Sequence, residues 1–129
     1  MSISDAAKHL RDFLVADATL TALAGTRIYA ERTEPPEGYK PGSDGGCVCF
    51  SLGGSVDYSN AFQNGRVQFK CYGKDEVVAN QVYRALYDAL NRQSGQYVRW
   101  AINQTLGQTL REPDTKWVFV LTYFTVWIL

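Results

Sequence analysis

The sequence has no excess of charge of either sign, no long apolar run, three cysteines and a single histidine. Each shortage removes a class of function. Lys plus Arg and Asp plus Glu are both 13 in 129 residues, giving a formal net charge of zero. A protein whose main work is gripping free nucleic acid usually needs a basic excess, so the balance argues against that class, although it does not exclude a local basic patch. A spanning helix needs roughly 20 consecutive apolar residues, and none are present. The nearest stretch, Trp117 to Leu129, is shorter and is interrupted by Thr122 and Thr125. Met1 to Asp5 has no basic flank leading into an apolar run, so no signal peptide is expected. An odd cysteine count without an export signal reads as reduced thiols. Cys47-Val48-Cys49 has no second ligand pair at zinc spacing, so these thiols are expected as small buried strand residues and no metal is expected. His9 is the only imidazole, so any Cys–His or Ser–His pair must use it. It falls on the polar side of a helix, beside Arg11 and Asp12, and is expected to be solvated. Asn103-Gln104-Thr105 is a chance match to a glycosylation sequon in a chain without an export signal.

What is abundant is apolar and aromatic. Hydrophobic residues make up 46% of the chain, enough for a core, and the 6 Phe, 8 Tyr and 3 Trp favour strands and interfaces. Residues 4–16 have the spacing of an amphipathic helix, with Ser4 as N-cap and Asp5 in the first turn. A shorter helix over 18–24 is stopped by Gly25, and Arg27 to Ala30 is a short strand. Residues 31–46, rich in Pro and Gly, read as a long irregular loop that is either functional or a tolerated insertion. Cys47 to Leu52 is a strand. Arg66 to Tyr72 is the clearest strand, with Val67, Phe69 and Cys71 on one face and Arg66, Gln68, Lys70 and Tyr72 on the other. Two pairings are open between them: one long loop, or an outer extension over Val56 to Phe62 with a tight turn at Asn64-Gly65. Glu76 to Asn91 is a helix capped by Asp75. Val98, Trp100 and Ile102 alternate in a further strand that continues toward Leu110 past a break at Gly107. Arg111 to Lys116 turns. Trp117 to Ile128 is a last strand, apolar on both faces and therefore covered on both. Helices can cover one side, and a second copy of the chain the other. The expected class is α+β: a mostly antiparallel sheet of four to five strands, with two main helices on one face. No linker or repeat divides residues 1–129, so one domain is expected, with flexible loops over 31–46 and 53–64.

No catalytic constellation emerges. Tyr72-Gly73-Lys74-Asp75 places a Gly-Lys pair at a strand-to-helix junction. A phosphate loop would need an earlier glycine where Gln68 stands and Ser or Thr where Asp75 stands. Gly45-Gly46 and Gly53-Gly54 match no dinucleotide fingerprint. Glu31, Glu34 and Glu37 lie in the irregular loop, without rigid support for acid–base work. Arg66, Lys70 and Tyr72 share a strand face that could stack single-stranded nucleic acid, but the balancing acids favour a solvated or interface face. No cofactor is expected. The pattern describes a binding or assembly module.

Leu20-Thr21-Ala22-Leu23-Ala24-Gly25-Thr26-Arg27-Ile28-Tyr29 resembles the opening motif of the tail-terminator, or tail-completion, proteins of long-tailed bacteriophages and prophages. Further features follow in the family's order. They are a loop with Pro35-Pro36, a strand Val48-Cys49-Phe50-Ser51-Leu52, an alternating strand Arg66 to Tyr72, an Ala-rich helix Ala79 to Leu90, and an aromatic strand Trp117 to Trp127. The stretch 31–46 departs from the family by its length and glycine content.

The resemblance implies a structural protein with no enzymatic activity. Copies close, as hexamers, into a ring on the tail tube at the tail–neck junction of the virion, after assembly in the host cytoplasm. The ring ends tube polymerisation and offers a docking face to the head or neck. Implied partners are the chain itself, the tail-tube protein and a neck or head-completion protein. DNA passes through the lumen without specific binding, and no membrane is involved. A ring is a heterologous interface that closes on itself, and such interfaces favour aromatic anchors. Trp117, Phe119, Tyr123 and Trp127 are the candidates on the last strand, with Arg66 and Lys70 on the hairpin and Tyr58 and Phe62 at its tip. On this reading the 31–46 and 53–64 loops order only on binding. Two rivals stand beside it: a neck or head-completion adaptor on the portal side, and a small ligand-binding or enzymatic α+β domain.

Overall fold

The computed structural model describes residues 5–57 and 62–129, and over 54–57 and 62–64 the backbone alone. Helix α1, Ala6–Val15, begins at Asp5, whose carboxylate accepts the Lys8 N–H at 3.0 Å. Asp5, not Ser4, is thus the N-cap: its side chain satisfies a first-turn donor that has no partner inside the helix. Asp17 does the same for α2, Ala18–Ala24, by accepting the Leu20 N–H at 2.9 Å. Gly25, at φ 56°, ends α2 in a backbone conformation that a side chain would strain. The chain then enters β1, Ile28–Ala30, and reaches a short helix α3, Pro41–Asp44. Strands β2, Cys47–Asp57, and β3, Phe62–Gly73, follow. Helix α4, Glu76–Leu90, is capped by Asp75 through the Val78 N–H at 2.9 Å. Strands β4, Val98–Arg111, and β5, Val118–Ile128, complete the order.

The five strands form one sheet in the order β1-β2-β3-β5-β4, with β1 parallel to β2 and every other pair antiparallel. The class is α+β, as the patterning indicates. Helices α1, α2 and α4 lie on one face. There Val48, Phe50, Val67, Phe69, Val120, Phe124 and Val126 meet Leu10, Leu14, Leu20, Val82, Leu86 and Leu90, all at most 1% exposed. Phe50, Phe69 and Phe124 form a line of rings 5.5 and 5.4 Å apart across three strands. Thr122 faces the same core without leaving a polar atom unpaired. Its hydroxyl donates to the Thr105 carbonyl at 2.6 Å and accepts from Asn103 Nδ2 at 2.9 Å.

Three expectations are corrected. Asn64-Gly65 is not a turn: Asn64 pairs with Ser55 and Gly65 with Gly54 inside the hairpin. Residues 53–57 and 62–64 are accordingly strand and not loop, and the connection over 58–61 lies outside the described residues. A Cβ at Gly65 would stand 2.8 Å from the Gly53 carbonyl oxygen, so this glycine permits a close approach of the two strands. Second, β4 is irregular. A register shift between Val98 and Trp100 leaves Val98 at 1% and Trp100 at 41% exposure, so the two do not share a face. Gly107 does not break the strand. A Cβ there would meet Val120 at 2.5 Å and the Tyr83 ring at 2.9 Å, so the glycine lets β4 run close to α4. Third, the 31–46 segment is packed. It carries α3, in which Pro41 is buried, and packs Tyr39 against the sheet face that the main helices leave open.

Candidate interaction surface

Strand alternation places Cys47, Cys49, Arg66, Gln68, Lys70, Tyr72, Phe119, Leu121, Tyr123, Thr125 and Trp127 opposite the helices. This face has two halves. In one, Tyr39 is a lid over Cys47, Cys49, Tyr72 and Phe119. Its ring meets Trp117 edge-on at 5.5 Å and Tyr72 at 6.5 Å, and its hydroxyl donates to the Gly45 carbonyl at 2.5 Å. The segment is fastened at both ends. Arg32 N–H donates to the Phe50 carbonyl at 3.1 Å, and Arg27 Nε to the Gly46 carbonyl at 2.9 Å.

The covered half holds a small polar network. Tyr72 donates to Glu112 Oε1 at 2.6 Å, and Lys70 Nζ lies 3.4 Å from the same oxygen. Lys70 also lies 4.7 Å from the Phe119 ring centroid. Burial, then the Glu112 hydrogen bond, pushes the Tyr72 hydroxyl far above its ordinary range, and burial does the same to Tyr39. The thiols behave alike. The Cys49 contact at 3.8 Å and burial raise Cys47, and burial raises Cys71. These groups are held in their protonated forms at neutral pH. Among the described residues no three His, Cys, Asp or Glu side chains gather at a metal-binding distance. No helix among them is long and apolar enough to cross a membrane. His9 is stacked on Tyr97, centroids 3.9 Å apart and nearly parallel at 9°, and is half-buried rather than freely solvated.

The other half is open. Arg66 sits 4.2 Å from the Tyr123 ring centroid in a cation–π contact. With Ser51, Leu52, Gly53 and Gln68 this pair lines a shallow groove. Trp127 continues the row on β5, and Trp100 stands opposite it on β4.

The structure thus sorts the sequence candidates. Arg66, Tyr123 and Trp127 share the open half. Lys70, Trp117 and Phe119 belong to the covered half, where Phe119 is only 6% exposed and Trp117 packs beneath Tyr39. Tyr58 lies outside the described residues, as does the side chain of Phe62. Sequence reasoning missed Trp100, because the register shift hid its face, and Tyr39, whose signal was one aromatic in a Pro/Gly-rich stretch. At the rim of the lid, Glu34, Glu37, Glu112 and Asp114 line an acidic cleft of about 330 Å³ beside Trp117.

No protein-family model matches the sequence, and no curated protein matches it. Among solved structures, the chain is similar to one from the virion of a native gene transfer agent particle, with a TM-score of 0.66. The match covers 97% of this chain and 98% of the other at 20% identity. At that identity the likeness is one of fold.

Proposed function

We propose that the protein is a structural component of a phage-like virion: a ring-forming cap that ends the tail tube and presents a docking surface to the head or neck. One observation carries this reading. The fold likeness to a virion component runs over nearly the whole of both chains, without a large insertion or missing element in either. The surface is compatible with it. A half-open sheet face with Tyr123, Trp127 and Trp100 around one arginine is suited to protein association. The partners of this reading are further copies of the chain, the tube protein and a neck protein. Zero net charge suits a conduit through which DNA slides.

The test is the solution mass across concentrations, by light scattering, with and without polymerising tail-tube protein. A ring, or a monomer that caps tubes and stops their growth, is expected. A monomer indifferent to tubes overturns the reading and leaves the portal-side adaptor as the next reading to examine.

A further inference from the structure

The two halves of the sheet face opposite the helices are complementary in height and in charge. On the open half, Arg66 stands among neutral neighbours, Ser51, Gln68, Tyr123, Thr125 and Trp127. Its guanidinium is exposed and held over the Tyr123 ring, and no described carboxylate forms an ion pair with it. The aromatic groups beside it are Trp127, partly exposed, and Trp100, 41% exposed.

The other half is raised and acidic. The 31–46 segment lies over Cys47, Cys49, Tyr72 and Phe119, so it stands above the strands as the open half does not. Its outer rim carries Glu34 and Glu37, and the turn before β5 brings Asp114 beside them. All three are exposed, no Lys or Arg lines their cleft, and none forms an ion pair among the described residues. Within one chain these charges cannot meet Arg66. Tyr72, beneath the lid, and Arg66 lie about 20 Å apart along β3, beyond the roughly 8 Å over which exposed charges act at physiological salt.

A second copy can bring them together, and symmetry limits how. Two copies meeting through this face must turn it toward each other, and the rotation that reverses the direction of a face is a half-turn. An axis along the strands sets lid on lid. Carboxylates then meet carboxylates, Arg66 meets Arg66, and the two lids hold the open halves apart. An axis across the strands sets each lid on the open half of the other copy. Raised then meets recessed, and acid meets arginine, at two identical contacts.

We propose that two copies of this chain pair face to face across a two-fold axis perpendicular to the strands, with the acidic rim of each lid seated beside Arg66 and Trp127 of the other. Such a contact is self-complementary, the form that closes at a dimer. Arg66 is already positioned by the Tyr123 ring, so little of its freedom is lost when a carboxylate arrives. The inference goes beyond the ring reading and does not rest on it: the pairing belongs to the free chain, and a tube end or any other partner for the open half competes with it.

The test is analytical ultracentrifugation of the full chain without tube protein, at low and at high ionic strength, with two variants. The wild type is expected to pass from monomer to dimer with rising concentration, to stop at the dimer, and to dissociate more readily in high salt. Arg66→Glu, and the double variant Glu34→Lys with Glu37→Lys, are each expected to raise the dissociation constant roughly tenfold or more, since repulsion replaces attraction at both contacts. These side chains are exposed and lie on different elements, so the melting temperatures are expected to hold. An equimolar mixture of the two variants is expected to dimerise as the wild type does, because opposite charges then face each other at both contacts of the mixed pair. A dimer indifferent to both variants, a mixture that does not recover, or growth past the dimer overturns this pairing. A wild-type chain that is monomeric at every concentration overturns it as well, and leaves the ring reading, which is tested with tube protein, as it stands.

Discussion

Replacing Tyr39 tests whether the 31–46 segment is a fastened lid. Tyr39 is 5% exposed, with its ring between Trp117 and Tyr72 and its hydroxyl on the Gly45 carbonyl. Tyr39→Phe removes one hydrogen bond, a loss of about 1 kcal/mol. Tyr39→Ala also removes the ring and leaves a cavity beneath the segment, for a total of about 3–5 kcal/mol. The ends stay held at Arg32 and Gly46, so the loss falls first on the middle of the segment and opens it locally. Urea unfolding of the wild type and both variants measures the totals. Glu-specific proteolysis between Glu37 and Gly38 measures the local opening. A difference of about 3 kcal/mol between the variants corresponds to roughly a hundredfold in cleavage when opening is fast. A Tyr39→Ala protein within about 1 kcal/mol of wild type, cut at the wild-type rate, would refute the lid.

Three further outcomes follow from the geometry. Cys47 and Cys71 keep their protons in the fold to higher pH than in the unfolded chain, where a thiol titrates near pH 8.5. The unfolded state therefore binds fewer protons above that pH. Stability is held in full below about pH 8.5 and falls by about 1.4 kcal/mol per pH unit per thiol above it. Denaturation between pH 7 and 10 reads the slope, and Cys71→Ala should roughly halve it. A flat profile contradicts the burial of these thiols. Gly73→Ala places a Cβ 2.5 Å from the Ala79 nitrogen and 2.8 Å from the Val78 carbonyl carbon, backbone that cannot yield, and a loss of about 3 kcal/mol is expected in thermal unfolding. Asp75→Ala removes the α4 cap and should lose about 1 kcal/mol, with Asp75→Asn recovering most of it.

The sequence patterns that carried furthest are those with a single local cause. The period of α4 and the alternation of β3 are consequences of side-chain direction, so the helix side of the core and the shared face of Arg66, Gln68, Lys70 and Tyr72 could be read in advance, whereas the company of Arg66 with Tyr123 comes from the β3–β5 pairing. What could not be read depends on contacts distant in sequence. Asn64-Gly65 has turn chemistry, yet β2 on one side and β5 on the other hold it extended, with Asn64 opposite both Ser55 and Trp127. A third strand overrides a local preference of this kind. His9 reads as solvated on its helix, and its partner Tyr97 stands on the far side of the chain order. The Pro/Gly composition of 31–46 signals irregular backbone correctly. It says nothing of Tyr39, whose burial depends on a niche made by Tyr72 and Trp117.

The division of the second sheet face bears directly on assembly. A sheet apolar on both faces needs cover on both, and the chain supplies its own for the half nearest Cys47, Tyr72 and Phe119. That cover buries Phe119 and partly shields Trp117. The remaining half, with Trp127 beside exposed Trp100, is uncovered among the described residues. Residues 91–95 cap the outer side of the first half of β4. Under the ring reading, a copy therefore arrives with most of its core closed and has a few aromatic rings of this half to desolvate. Association of that size is modest per contact, and it becomes durable when each copy is held on two sides, because the closed ring must break two interfaces to release one subunit.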